Sequence, residues 1–282
     1  MSETIPFHLE TPSSILHGLI DLPDAPGERP AVVICHGFKG FMEWGFFPYL
    51  ATLLAERGFV AVRFNLSGTG MRPKDELVTD PDAFRANTYG REVADLLAVL
   101  EATGETLAPG RVDRDRLGLF GHSRGGGDAI LAAARSANSQ GRDRVRALVT
   151  WAAIADVDRF TPEQKEQWRR QGEMPVVNAR TGQRLALGPG MLAEIEERRP
   201  DLDVLAAAAT VRAPWLIVHG ADDESVPLED GRRLAERAGG ERELRIIPGA
   251  SHTFGSRHPF AGPTPQLIQA LNATQRWFRA HL

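Results

Sequence analysis

The sequence predicts an α/β protein: a mainly parallel central sheet with helices on both faces, an N-terminal antiparallel hairpin at its edge and a small inserted cap. Three observations carry that expectation. Short runs rich in Val, Ile and Leu alternate with longer amphipathic stretches, the pattern of βαβ units. The rhythm breaks once, between Trp151 and Trp215, where about sixty residues stand in place of a simple crossover. The chain has 282 residues, 42% of them hydrophobic, enough for one substantial core.

Residues 6–22 hold two apolar stretches separated by Thr11-Pro12-Ser13-Ser14, a hairpin for the sheet edge. Residues 31–35 read as the first central strand, and a helix over 47–57 stops at Gly58. A strand over 59–65 follows. Residues 88–102 are helical, with an apolar stripe through Val93, Leu96, Leu97 and Leu100. Residues 116–120 and 145–151 read as strands flanking an Ala-rich helix over 128–135. Strand 215–219, helix 228–238, strand 243–247 and helix 265–281 complete the alternation. The core is thus expected to comprise residues 1–155 and 204–282, with the cap over 156–203. Within the cap, 163–171 and 191–199 look helical, and 175–178 with 184–187 read as a hairpin around Thr181-Gly182.

Composition excludes several functions. With 33 basic and 37 acidic side chains the net charge is −4, so no nucleic-acid partner is expected. Only Lys39, Lys74 and Lys165 among the bases are lysines, and the arginines, scattered among acids, read as solvated surface. Cys35 is the single cysteine, which rules out an intrachain disulfide and a cysteine metal cluster. There is no membrane-length apolar run and no signal-peptide pattern, so a cytoplasmic protein without a membrane partner is expected.

The chemistry concentrates at strand ends. Gly121-His122-Ser123-Arg124-Gly125 matches G-x-S-x-G between a strand and a helix, the context in which a sharp turn presents a nucleophile; the plainer reading is a Gly-rich turn that only opens a helix. A nucleophilic Ser needs a base. His36, His122 and His219 lie within turn motifs, His8 and His17 on the hairpin, and His281 at the last turn. His252, just past the last strand, is the expected base, and His258 reads as a surface residue. The orienting acid is sought in Asp222-Asp223-Glu224, which could otherwise cap the next helix or, without supporting His or Cys spacing, hold a metal. Backbone amides of Arg124 and, from the Gly-containing loop after the first central strand, Phe38 are the expected oxyanion donors. Cys35 reads as a small core residue.

Together, strand-His36-Gly37-Phe38, Gly121-His122-Ser123-Arg124-Gly125-Gly126, His219-Gly220-Ala221-Asp222-Asp223-Glu224-Ser225-Val226-Pro227 and Gly249-Ala250-Ser251-His252-Thr253-Phe254 resemble the α/β-hydrolase superfamily. Within it the chain is similar to dienelactone hydrolase-like and cinnamoyl (feruloyl) esterase-like enzymes. The resemblance implies an α/β-hydrolase fold and places the acid on Asp223. Dienelactone hydrolases carry Cys where this chain has Ser123, so lactone specificity does not carry over. The expectation is a serine esterase acting on a small-molecule ester, with Ser123, Asp223 and His252 catalytic and no cofactor or metal. Its acyl preference is expected to be short or aromatic. Trp168, Met174 and Met191 of the cap are expected to bind the acyl group. The alternatives are an acyl-peptidase or thioesterase on the same triad, or a non-catalytic binding member of the fold.

Overall fold

The computed structural model describes residues 3–12, 14–136, 143–197 and 199–282. In chain order the elements are β1 Glu3–Thr11, β2 Ser14–Leu22, β3 Arg29–Cys35, α1 Phe47–Glu56, β4 Val60–Asn65, α2 Pro81–Arg85, α3 Tyr89–Glu105, β5 Val112–His122, α4 Arg124–Arg135 and β6 Val145–Trp151. Then come α5 Pro162–Gln171, β7 Met174–Val177, β8 Arg184–Leu187, α6 Pro189–Glu197, α7 Val204–Thr210, β9 Trp215–Gly220, α8 Leu228–Arg237, β10 Arg242–Ile247 and α9 Pro265–His281.

Eight strands form one sheet in the order β1-β2-β4-β3-β5-β6-β9-β10, and β7 pairs only with β8. β1, β2 and β4 pair antiparallel; every other neighbour in the large sheet is parallel. The edge hairpin is therefore present, although Ser13 of its expected turn lies outside the described residues. Alternation along the strands feeds two cores. On β3, Val32 and Ile34 pack with Leu50 and Leu54 of α1 and Phe278 of α9, while Ala31, Val33 and Cys35 pack with Leu96 of α3 and Ile130 of α4. Two buried tryptophans keep their N–H groups satisfied: Trp151 donates to Thr274 Oγ1 at 2.9 Å and Trp215 to Thr150 Oγ1 at 3.0 Å.

The chain passes from β3 to β4 on one side and then crosses back to β5 on the other side of β3, so the carboxyl ends of β3 and β5 flank a topological switch point. The loops after these two strands open a crevice there. The segment inserted after β6 comprises α5, the β7–β8 hairpin and α6, fastened to α8 by Arg159, which stands 2.9 Å from Asp230.

Three differences from the sequence reading have physical causes. β5 begins at Val112 because its charged start, exposed from Arg114 to Arg116, pairs with β3 through an irregular register between Arg29 and Ala31. Helices α2 and α7 were not expected; both are short and rely on Asp side-chain caps, Asp80 accepting from Ala83 N and Asp203 from Ala206 N. Not all arginines are solvated surface. Arg63 and Arg124 are each 6% exposed, and Arg63 is paired with Asp21 at 2.9 Å. No helix among the described residues is long and apolar enough to cross a membrane.

Candidate active site

Ser123 sits between β5 and α4 with φ 59° and ψ −123°, a conformation costly for a residue with a side chain. Close packing holds it there. A Cβ on Gly125 would fall 2.2 Å from the His36 carbonyl oxygen, and one on Gly37 would fall 3.0 Å from Ser123 Cβ, so only glycine lets the β3 loop approach the turn. Ser123 Oγ therefore projects at the start of a twelve-residue helix, beside Gly37 and Phe38.

His252 comes from the loop after β10, whose turn closes through Ala250 N to Ile247 O at 3.3 Å. Its Nε2 lies 2.9 Å from Ser123 Oγ, and its Nδ1 lies 2.9 and 3.1 Å from the two carboxylate oxygens of Asp223. Asp223 Oδ1 also accepts from the amides of Ser225 at 2.8 Å and Val226 at 2.9 Å. Burial by itself would raise the Asp223 carboxyl, but His252 and the two amides hold it below the usual carboxylate value. Asp222 is exposed, and its amide donates to Ala250 O at 3.0 Å.

The three histidines of the turn motifs are buried. His36 donates from Nδ1 to Gly37 O at 2.9 Å and accepts Leu66 N–H at Nε2, and burial pushes it down to about 4. His122 donates from Nε2 to the His252 carbonyl at 3.0 Å, and burial with the neighbouring His252 pushes it down to about 3. His219, lowered by burial, contacts Val226 O at 2.9 Å and stands 3.5 Å from Asp223. His258 differs from its expectation as a surface residue. Its ring packs edge-on against Phe41, accepts Gly45 N–H at Nδ1 and meets Glu76 at Nε2, because the loop folds back over the end of β3. Cys35 is buried, and burial raises its thiol.

Sequence reasoning missed the cluster behind the nucleophile. The Arg124 guanidinium stacks 4.0 Å from the Tyr89 ring centroid and 4.7 Å from that of Phe38. Its Nε stands 3.0 Å from Glu92 Oε2, angled out of line for a hydrogen bond, and its Nη2 lies 3.2 Å from Met191 Sδ. Glu92 and Asp128 are both buried, and burial raises both carboxyls. Asp128 is raised well above the usual carboxylate range, because the Glu92 charge adds to its burial. The signal available was Asp128 one turn after Arg124, four residues on, among the glycines and apolar residues of Gly125–Ala134.

A cavity of about 340 Å³ opens over Ser123 and His252. Phe38, Trp44 and Phe47 supply apolar wall, Lys39 stands on the β3 loop, and Asn178, Ala179 and Arg180 enter from the β7–β8 turn. Trp168, Met174 and Met191 do not line it. Trp168 is the one buried residue of α5 and packs against Phe160 with centroids 5.1 Å apart; Met174 lies in β7 against the core; Met191 is buried on Arg124. Their apolar bulk is drawn into the core, leaving the hairpin turn to face the cavity. Among the described residues no group of three or more His, Cys, Asp or Glu could hold a metal.

Comparison with known proteins follows the same lines. A model described as "Alpha/beta hydrolase family" matches residues 32–262. An uncharacterised 31.7 kDa protein from the traX-finO intergenic region of Escherichia coli is 24% identical over 294 residues, covering 93% of this chain and 94% of that protein. Est1E from Butyrivibrio proteoclasticus with ferulic acid bound superposes with a TM-score of 0.74 at 23% identity, covering 98% of both chains. A dienelactone hydrolase from Anabaena variabilis superposes with a TM-score of 0.64 at 19% identity, over 100% of this chain and 99% of that one.

Proposed function

Since the chain belongs to the alpha/beta hydrolase family, we propose that it is a serine esterase that cleaves small carboxylic esters through an acyl-enzyme. The observation that carries this reading is the unbroken hydrogen-bonded line from Ser123 Oγ through His252 to Asp223. Ser123 Oγ attacks the ester carbonyl as His252 Nε2 takes its proton, and Asp223 steadies the imidazolium from Nδ1. The oxyanion lies between the amides of Phe38 and Arg124. As the first residue of α4, Arg124 has no acceptor within the helix, and Phe38 N–H makes no hydrogen bond among the described residues. The helix dipole of α4 favours the same negative charge. His252 then returns the proton to the departing alcohol, and water repeats the sequence to release the acid.

Aromatic wall from Phe38, Trp44 and Phe47 suits a short or aromatic acyl group, the class that the ferulic acid bound to Est1E represents. Residues 156–203 act as the cap and touch the cavity through the β7–β8 turn. Hydrolysis of 4-nitrophenyl acetate by the protein and by Ser123→Ala tests the reading. The variant should fold and lose about 10⁴-fold or more in rate, as when one member of a cooperating triad is removed. Turnover undiminished in Ser123→Ala overturns it.

A further inference from the structure

Among the described residues, two charged side chains other than histidine line the cavity, Lys39 from the β3 loop and Arg180 from the β7–β8 turn, and both are cations. This runs against the composition of a chain with four more acidic than basic groups. Lys39 stands on the β3 loop at φ 60°, where its backbone sits in the left-handed region that disfavours a side chain. Its Nζ donates to Val177 O across the cavity mouth at 3.3 Å and forms no ion pair among the described residues. Lys165, by contrast, is paired with Asp158. Arg180 lies over the Phe41 ring at 5.4 Å, and its Nη1 stands 3.6 Å from Glu76, whose carboxylate is also engaged by His258 at 2.6 Å. One cation at the mouth is therefore left without a carboxylate. Lys39 as a residue is exposed at the mouth, and partial desolvation lowers its ammonium.

We propose that Lys39, with Arg180 of the same cavity, binds a carboxylate borne by the substrate, so that the preferred esters are half-esters with a free acid on the acyl part. The inference rests on the esterase reading and narrows it to anionic substrates. Phe38 and Trp44, apolar residues of the same cavity, would pack on the hydrocarbon spacer that joins the scissile carbonyl to the distant carboxylate. A primary ammonium suits that task because it can follow spacers of different length as a point charge, where a bidentate fork would fix one geometry.

The test compares monomethyl adipate with methyl hexanoate, which share a leaving group and methylene chain and differ in the terminal carboxylate. Acid release is followed above neutral pH in the protein, Lys39→Met, Lys39→Arg and Arg180→Met. The protein should prefer the half-ester, and about 0.5 M NaCl should reduce that preference by screening. Lys39→Met should lower the ratio of the two kcat/KM values at least about tenfold, the scale of a hydrogen bond to a charged group, through KM. Lys39→Arg should restore much of the ratio, and Arg180→Met should lower it less. Equal kcat/KM for the two esters, or a ratio unmoved by Lys39→Met, overturns the inference and leaves the esterase reading standing. If neither methyl ester turns over, adipate and hexanoate are compared as protectors of Ser123 against a fluorophosphonate probe. Better protection by adipate supports the inference, and equal protection overturns it. Failure of the probe to label Ser123 removes the esterase reading and this inference with it.

Discussion

Asp222 and Asp223 leave adjacent positions of one turn, yet Asp223 alone meets His252 and two amides while Asp222 faces solvent. Asp223→Asn should therefore cost about 10⁴-fold in kcat, and Asp222→Asn less than about tenfold, measured on 4-nitrophenyl acetate. A larger loss in Asp222→Asn would move the acid. Arg124 calls for a separate experiment, because its side chain stacks on Phe38 while its own amide is proposed as an oxyanion donor, so that one residue links the two proposed donors. Arg124→Lys keeps the charge beside Glu92 but loses the planar stacking surface. It should lower kcat about tenfold with KM little changed, in proportion to looser placement of two transition-state donors. Loss of thermal stability with kcat intact would make Arg124 only a packing residue. Ser123 and His252 were legible in local turn motifs, whereas the turn of Asp222, Asp223 and Glu224 left the acid open and only the family resemblance pointed to Asp223. The Arg124–Glu92 cluster was not legible, because a charged residue on a helix ordinarily reads as its solvated side, and only contact between α3 and α4 reveals otherwise.

At the scale of elements, the β7–β8 hairpin is what the inserted segment brings to the cavity. Gln183 pins it, donating to Val78 O at 2.9 Å and accepting Val78 N–H at 3.0 Å without touching the cavity itself. Gln183→Ala should loosen the turn and change the ranking of butyryl and feruloyl esters by about 1–3 kcal/mol, with little effect on acetate turnover. Identical changes on all esters would deny the hairpin a part in selectivity. Trp168→Ala should act otherwise, costing about 3–5 kcal/mol of stability by opening a cavity beside Phe160, as urea unfolding would register. A Trp168→Ala protein of undiminished stability would show that the indole is not a core residue. The parallel strands and long helices were legible from period and length. Helices α2 and α7, of five and seven residues, were not, since they span too few turns to build an apolar stripe. The charged start of β5 was equally silent, because its alternation runs among exposed charges.

For the molecule as a whole, the buried neutral histidines couple stability to pH. His36 and His122 sit at about 4 and about 3 when folded, against about 6.5 for a free imidazole. Between those values the unfolded chain binds protons that the folded chain refuses, so each group adds stability as pH rises and withdraws it as pH falls below about 6.5. The slope is at most about 1.4 kcal/mol per pH unit for each. Asp128, whose raised carboxyl acts in the opposite sense, is common to the protein and to His122→Gln, so the difference between their unfolding free energies isolates His122. The variant should lose less stability on acidification than the parent, and parallel curves would contradict the buried neutral assignment. The fold class was legible because alternation of strands and helices extends along most of the chain, whereas the strand order was not, since long crossovers separate β4 from β5 and β6 from β9. The crevice was legible only in outline, since its walls come from segments far apart in sequence. The central claim is that Ser123, activated by His252, is a nucleophile. Reaction with a fluorophosphonate followed by peptide mass spectrometry tests it most directly. One adduct per chain on Ser123, strongly slowed in His252→Ala, is the predicted result; no adduct, or an adduct on another serine that survives Ser123→Ala, would contradict it.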